Sequence, residues 1–591
     1  LDGKNNIVKV QNIKEKKKID YNDVVVWDIE TFQEKNEHVC YASSWYSNVL
    51  HMTHGKNSMK DTIDIFTTYK NKTITAYNGS GFDFYFLIRE LSQRNVQIKN
   101  TILNNGKLMS FTFGENNKVF DLCLFLSCSL DQACSDFKLD NKKGSFDHKL
   151  IKTWEDVEIH REEVIPYLKA DVLALKELFE TFNDLVYGTY QVNITKFMSA
   201  GHMAYEIWQS ILKHVVEVPN DMKRYEFIKL STYGGRCYPQ QREYKSKYYD
   251  DLIKKQIDYE FLIDTDEFIY NADATSLYPA SMSGFVLVDV SYPIGNSRWS
   301  DKPKDEWDNK KIGFYQIKFK CPKSLRIPIL PRRKLNNGVN IGIEWSLRDG
   351  DGVYTSVDIQ NAIDAGYEVE FIDACLVYDE SGDVFSDYIN GFFGLKQRAE
   401  REKNEALRSL AKLMLNALYG KTLQKARFET TSIINNVFEF NKFVEDYELC
   451  DWVVLSDNKM MVTGKVLNKE AKITKPCQLG SFVTAYSRKI MLHYMRAMDP
   501  TLTKTTFTYT DTDSLHIFGK YYHKLNAMGY IKRKEDSKLG YLTNDIKNEG
   551  LIIAEKNLAP KCYMYEYINE LNEVKDKECA VKKSKGIPKR C

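Results

Sequence analysis

The sequence predicts a multidomain α/β protein, and three observations support that reading. Its 591 residues are too many for one hydrophobic core and correspond to roughly three to five domains. Short β-favouring runs bearing carboxylates alternate with amphipathic stretches of helical period. The third observation is local. Phe507-Thr508-Tyr509-Thr510 and Leu515-His516-Ile517-Phe518 close around Asp511-Thr512-Asp513-Ser514, as a hairpin with two acids at its tip. Aspartates this close repel unless a cation neutralises them, which is costly for a fold and useful for phosphoryl transfer.

The bulk numbers exclude several classes. A net charge of +2 is no polyanion-binding signature, so any nucleic-acid surface is a local basic stripe offset by acids elsewhere. The 37 tyrosines suit both base stacking and half-buried core positions. Twelve scattered cysteines without a CxxC pair or a zinc-spaced histidine indicate a reduced, intracellular protein without a disulfide framework. No apolar run reaches the ~20 residues of a membrane span; the longest, near 122–130, is interrupted by cysteine and serine. The start at Leu1, followed by a Lys- and Asn-rich stretch to Asp20, points to a fragment or a processed piece.

Along the chain, Val24-Val25-Val26-Trp27 is a short apolar strand running into Asp28-Ile29-Glu30, where alternation puts both acids on one face. A second strand at 73–77 leads to the turn Asn78-Gly79-Ser80-Gly81 and a helix over 82–91 that opens with Asp83. The stretch 166–179 reads as an amphipathic helix with proline in its first turn, and Tyr167 and Asp171 lie one turn apart. Residues 190–260 are mixed, with the flexible turn Tyr233-Gly234-Gly235-Arg236. Small and apolar residues then deliver Asp273 ahead of a Tyr278-Pro279 turn. From 286 to 390 short strands and turns read as a structural insertion. One strong helix is predicted over 393–418. Its polar stripe is Arg408, Lys412, Asn416 and Tyr419; its apolar face is Leu407, Ala411, Met414, Leu415 and Leu418. A helix over 481–495 places Thr484 and Arg488 one turn apart before the carboxylate hairpin.

Four segments in fixed order resemble the polymerase motifs of family B DNA polymerases: Asp273 to Pro279, Lys412 to Lys421, Tyr509 to Ser514, and Lys561-Cys562-Tyr563. With Asp28-Ile29-Glu30, Asn78 to Asp83 and Tyr167 to Asp171 ahead of them, the chain resembles that family's exonuclease-plus-polymerase layout over nearly its whole length. Within the family it is most similar to the protein-primed branch of bacteriophages, adenoviruses, linear plasmids and mobile elements. The resemblance implies an RNase H-like 3′-5′ exonuclease domain at 1–190 and a right-hand polymerase. The polymerase comprises palm at 191–285 and 479–560, insertions at 286–390 and 422–478, fingers at 391–421, and the start of a thumb at 561–591.

It also implies site roles. Asp273 and Asp513 are expected to bind two Mg²⁺ ions, with Asp511 adjacent and Mn²⁺ an acceptable substitute. Asp28, Glu30, Asp83 and Asp171 are expected to hold a second metal pair for proofreading, Tyr167 orienting the water and Lys143 stabilising the phosphate. Lys412 and Arg408, with Lys396 a third, are expected at the triphosphate. Tyr278 is expected under the sugar, where it excludes a 2′-hydroxyl, and Asn416 and Tyr419 at the nascent base pair. DNA contacts fall to Asn78, Phe82, Ser129, Leu130, Tyr233, Gly234, Gly235, Ser276, Gly420, Lys421, Thr484, Arg488, Lys561 and Tyr563. The implied partners are a DNA primer-template, deoxynucleoside triphosphates and a terminal protein that primes synthesis, with strand displacement. Basic runs at 14–18 and 582–590 are further candidates for DNA contact or are simply solvated.

The chain departs from the pattern in three places. The stretch Asn78 to Asp83 is one residue longer than the commonest spacing, Thr232 stands at the usual tyrosine position beside Tyr233, and the sequence stops at Cys591 where a thumb is expected to continue. Two alternatives stay open: a polymerase extending ordinary nucleic-acid primers, and a non-catalytic DNA-binding scaffold. The second predicts a lost metal-binding carboxylate, and all six are present.

Overall fold

The computed structural model describes residues 7–10, 12–104, 106–126, 128–284, 288–336, 339–426, 429–467, 473–577 and 580–584. The expected end of the chain at Lys585-Gly586-Ile587-Pro588, and most of the 582–590 basic run, lie outside them.

The N-terminal portion is built on a seven-stranded sheet, ordered Val49–His54, Glu37–Ser47, Val24–Glu34, Thr73–Ala76, Asn117–Asp121, Lys107–Phe113, Ile98–Asn104. Val24, Val25 and Val26 pair in parallel with Thr73, Ile74 and Thr75, and that strand pairs in parallel with Lys118 to Asp121. Period-2 alternation then sorts the first strand. Val25, Trp27 and Ile29 enter the core shared with Phe66, Phe84 and Leu87, whereas Val24 and Val26 pack with Val172, Leu175 and Phe179 of the helix Arg161–Tyr190. Asp28 and Glu30 continue on that second face, toward the helix that carries Asp171.

The second sheet sets Cys562–Ile568, Leu551–Ala559, Ile269–Ala274, Ser514–Phe518, Phe507–Asp511 and Cys237–Pro239 side by side. The helix Cys477–Met498, buried along most of its length, packs against the elements around this sheet. Two smaller sheets fill the expected insertions. The first comprises Tyr292–Ser300, Glu368–Gly382, Ile312–Lys320 and Gly350–Thr355, with a separate hairpin of Pro331–Asn336 and Val339–Trp345; the other comprises Glu429–Ile434, Lys459–Val466 and Tyr447–Ser456. The latter docks on the N-terminal sheet: Ile433 enters its apolar core, and the Lys459 ammonium donates to the Val96 carbonyl at 2.8 Å.

Several expectations are corrected. The helix expected from residue 166 begins at Arg161, so Pro166 lies beyond the first turn. The ring is exposed, as is Glu162, whose carbonyl loses its partner and can be solvated instead. The single helix over 393–418 is two, Ser386–Arg401 and Glu405–Thr422, broken where Lys403 adopts φ 53° and Asn404 caps the second helix by accepting the Leu407 amide at 3.0 Å. The expected boundary at 390/391 therefore falls inside a helix. The first insertion is not made only of short strands, since Glu368–Gly382 runs for 15 residues. Residues 562–568 and 581–584 pair onto the second sheet. Tyr205, Tyr270, Tyr292, Tyr354, Tyr378 and Tyr388 are fully buried, so much of the tyrosine content is core. Among the described residues ten cysteines are unpaired, and no helix is long and apolar enough to cross a membrane.

Candidate functional site

The hairpin folds as expected, with strands Phe507–Asp511 and Ser514–Phe518, and Thr512 takes φ 66° at its tip. Asp273 lies opposite Ser514 on the neighbouring strand, and the Ala274 amide donates to the Asp513 carbonyl at 2.8 Å. The two acids, far apart in sequence, thus meet in one pocket. Burial, then repulsion from Asp513 and Asp545, pushes the Asp273 carboxyl up to about 8, with Lys534 opposing. Burial and Asp511 likewise raise Asp513. Asp511 behaves differently. Burial opposes its charge, but hydrogen bonds from the Lys561 ammonium and the Cys237 thiol hold it below the usual carboxylate range.

This difference has a measurable consequence. A carboxyl raised in the folded state keeps a proton that the unfolded chain has lost, so stability falls as pH rises from the ordinary carboxylate range toward 8. In chelating buffer Asp273→Asn is expected to be more stable than the parent, by a margin that grows about 1–3 kcal/mol between pH 5 and pH 8. Thermal melts at the two pH values measure it; a margin that is flat or shrinking contradicts the crowding of Asp273 and Asp513.

The second acidic pocket lies on the N-terminal sheet. Asp28 is raised by burial, then by Asp83, Glu30 and Asp171, with Lys143 opposing. Asp83, at the start of the helix Asp83–Gln93, is pushed up to about 7 by burial and by Asp121 and Glu30, against a backbone hydrogen bond. Asp171 accepts from Lys143 Nζ at 2.9 Å and from the Gly144 amide at 2.7 Å. The same ammonium reaches the Tyr167 hydroxyl at 3.3 Å. Burial works against the Lys143 charge, yet its bond to Asp171 raises it. Strand alternation and the one-turn helical spacing therefore bring Asp28, Glu30, Asp83, Asp171, Tyr167 and Lys143 together.

Beside the first pocket, the rings of Tyr278 and Tyr419 stack at 3.9 Å and 16°. Lys412, Asn416 and Gly420 are exposed, so the stripe on Glu405–Thr422 faces solvent while Met414 and Leu418 are buried. Arg408 is engaged by Glu405 at 3.2 Å and Glu400 at 3.4 Å. Lys396 stands on the preceding helix, largely covered, 3.7 Å from Glu400. Ser276 takes φ 51° at the start of Leu277–Ser283, and Lys421 closes the same helix as Tyr419. Tyr563 packs on Tyr509 and His516.

Four expected DNA contacts are not available as such. Thr484 is buried and its hydroxyl donates to the Ser481 carbonyl at 2.9 Å. Arg488 is buried in a fork with Asp358, at 2.9 and 2.7 Å. Tyr233 is 1% exposed and stacks on Tyr354 at 5.2 Å. Leu130 lies in the core, while Ser129 is exposed and caps the helix Leu130–Phe137 by accepting the Gln132 amide at 3.2 Å. Asn78 and Phe82 flank the turn as expected, Asn78 at φ 65° and exposed, Phe82 against His38 at 5.2 Å. Gly234 is open, whereas a Cβ on Gly235 would meet Thr512 at 2.6 Å.

Sequence reasoning missed five residues. Asp121 accepts the amides of Asn78 at 2.8 Å, Ser80 at 3.1 Å and Cys123 at 2.9 Å, and so builds the turn before Asp83. His148 sits 3.2 Å from Glu30 and 3.4 Å from the Tyr167 hydroxyl. Asp545 adds a third carboxylate near Asp273 and Asp513, and Cys237 and Asp358 act as described. Asp121 ends the short β-favouring stretch Lys118-Val119-Phe120, the position Asp28 takes after its own apolar run, and that was a readable signal. The others have no local pattern.

Residues 63–162, 154–251 and 257–501 match the family described as DNA polymerase type B, organellar and viral. A DNA polymerase of Kluyveromyces lactis is 24% identical over 96% of this chain and 60% of that protein. One from Streptococcus phage Cp-1 is 24% identical over 86% of this chain and 80% of that protein. A Neurospora intermedia relative is matched over only 48% of its length, so the chain spans about half to three fifths of these fungal proteins. Among solved structures, Phi29 DNA polymerase complexed with primer-template DNA and incoming nucleotides aligns with TM-score 0.67 and 17% identity, over 96% of this chain and 93% of that one. The fold is thus the multidomain α/β architecture of that polymerase, as the motifs led one to expect.

Proposed function

The chain belongs to the organellar and viral type B DNA polymerases, and on that premise we propose that it copies DNA from deoxynucleoside triphosphates and excises 3′ ends at a second site. The observation behind this reading is the convergence of Asp273 with Asp513 in one pocket and of Asp28, Glu30, Asp83 and Asp171 in another.

Type B polymerases use divalent metal, and the carboxylates here are hard oxygen donors of the kind it takes, although among the described residues no group of three or more is spaced to hold an ion as placed. Burial, then repulsion between the carboxylates gathered in each pocket, raises Asp273, Asp513 and Asp28, with Lys534 opposing at the first, a backbone hydrogen bond and Lys561 at the second and Lys143 at the third. Asp273 and Asp513 would hold it in the polymerase pocket, the other four acids in the exonuclease pocket. Magnesium, or manganese in its place, supplies stabilisation of phosphoryl charge and acidifies the attacking hydroxyl or water. The chain's own groups do the rest. Lys412, with Arg408, offers cations to the triphosphate from the exposed stripe. Lys561, fixed on Asp511, and Tyr563 set the primer strand. In the other pocket Tyr167 orients water while Lys143, shared between Tyr167 and Asp171, meets the phosphate.

The Tyr278 ring, braced on Tyr419, forms the floor for the sugar. Tyr278→Val is expected to raise the ribonucleotide-to-deoxyribonucleotide incorporation ratio about 10–100-fold, the ~1–3 kcal/mol scale of a pocket mismatch. Single-nucleotide insertion with rNTP and dNTP measures it, and an unchanged ratio removes Tyr278 from sugar selection.

The family branch and the two expected insertions support priming from a terminal protein, with strand displacement. The deciding assay supplies Mg²⁺ and labelled dNTPs with either a primed oligonucleotide template or a candidate terminal protein. Label on DNA supports the polymerase reading, and label on the protein hydroxyl supports protein priming. Incorporation into neither overturns the proposal.

A further inference from the structure

We propose that Asp358, in the first insertion, is a positioning residue for nucleotide incorporation: through Arg488 it fixes the Tyr233-Gly234-Gly235-Arg236 turn against which the Asp511/Asp513 hairpin is set. The inference rests on the polymerase reading above.

Asp358 lies in the first turn of the helix Ser356–Ile363, where Thr355 caps the amide of Asp358 at 3.2 Å and donates its hydroxyl to Asp358 Oδ2 at 2.9 Å. That lock leaves the carboxylate aimed at Arg488. Arg488 Nε donates to Oδ1 at 2.9 Å and Nη2 to Oδ2 at 2.7 Å, with both side chains 2% exposed. The planar fork leaves Nη1 free to point elsewhere. It donates to the Tyr233 carbonyl at 2.5 Å and the Gly234 carbonyl at 3.2 Å. Those carbonyls belong to a segment with no helix or strand partner of its own.

The turn is held from its other end by the same insertion. Arg236 is 2% exposed; its Nε donates to the Pro328 carbonyl at 2.8 Å and its guanidinium lies 4.9 Å over Trp345. Between these anchors the turn meets the hairpin tip without slack. The Thr512 amide donates to the Arg236 carbonyl at 2.8 Å, and a Cβ on Gly235 would meet the Thr512 side chain at 2.6 Å and its Cα at 2.7 Å. Thr512 separates the two acids. The path runs from Asp358 through Arg488 and the turn to the residue that sets the directions of Asp511 and Asp513.

A buried ion pair is a weak source of stability relative to apolar packing, and its best-attested use is to specify one arrangement. Here the arrangement specified is a hairpin tip whose misplacement by ~1 Å would cost on the order of 10²-fold in rate.

Parent, Asp358→Asn and Gly235→Ala are compared in primer extension, single-strand 3′-5′ hydrolysis and hydrogen exchange of the substrate-free chain. Expected for Asp358→Asn is a kcat for incorporation lower by about 10–100-fold, KM for dNTP within about 3-fold, and hydrolysis unchanged. Exchange should quicken in peptides spanning 507–518. Gly235→Ala, which leaves the ion pair intact, should give the same kcat-selective loss. Parental kcat and exchange in Asp358→Asn overturn the inference. If that variant loses both activities together, as a folding defect would cause, parental kcat in Gly235→Ala overturns it and selective loss upholds it. A parent that extends no primer sinks the polymerase reading instead, while the exchange comparison still tests the link.

Discussion

Asp513→Ala is expected to reduce primer extension by at least about 10³-fold, some 4 kcal/mol of barrier, while 3′-5′ hydrolysis continues at the parental rate. The size follows from the division of labour among the palm acids. Asp511 already has a counter-charge in Lys561 and a hydrogen bond from the Cys237 thiol. Asp513 is raised by burial and lies beside an Asp273 carboxyl at about 8, so the pair tends to keep a proton that a bound cation would displace. Without Asp513, Asp273 would be left alone to hold a metal. Quantitative gel extension with Asp513→Ala and Asp28→Ala in parallel provides the check. Extension within about 10-fold of the parent would remove Asp513 from the metal site.

Asp28→Ala is expected to give the mirror result: hydrolysis lower by about 10³-fold and extension unchanged. Asp28 is the most crowded acid of its pocket, facing Asp83, Glu30 and Asp171 with Lys143 opposing. A raised carboxyl costs stability at pH values above its unfolded range, so the variant should also melt higher than the parent in chelating buffer at pH 8. Loss of hydrolysis with a lower melting temperature would indicate a structural role for Asp28 instead.

What was legible in the sequence was whatever is encoded within a few residues. The hairpin, the same-face pair Asp28 and Glu30, and the one-turn pair Tyr167 and Asp171 each follow from a single period. Their meeting places needed the motif order as well, since no local rule sets Asp273 opposite Ser514. The failures have the same cause. Arg488 reads as a DNA-facing cation because its partner Asp358 lies in a segment read as structural filler. Tyr233 reads as a surface turn residue because Tyr354 and Gly352, which enclose its ring, are far along the chain. The break at Lys403 was hidden by good helix formers on both sides, although Asn404 followed by Glu405 is a fair capping signal. Asp545 sits in a turn-rich stretch where nothing local separates it from a solvated acid.

The docking of the strands Glu429–Ile434 and Lys459–Val466 onto the N-terminal sheet bears on how such chains can be divided or recombined. Ile433 completes a hydrophobic core that is otherwise formed by residues from 25 to 119. A genetic exchange that grafted a foreign proofreading module in front of this polymerase would have to match that seam, and an N-terminal half severed from the remainder would present bare hydrocarbon where the seam had been. The two acidic pockets are thus sutured by a segment that belongs to neither.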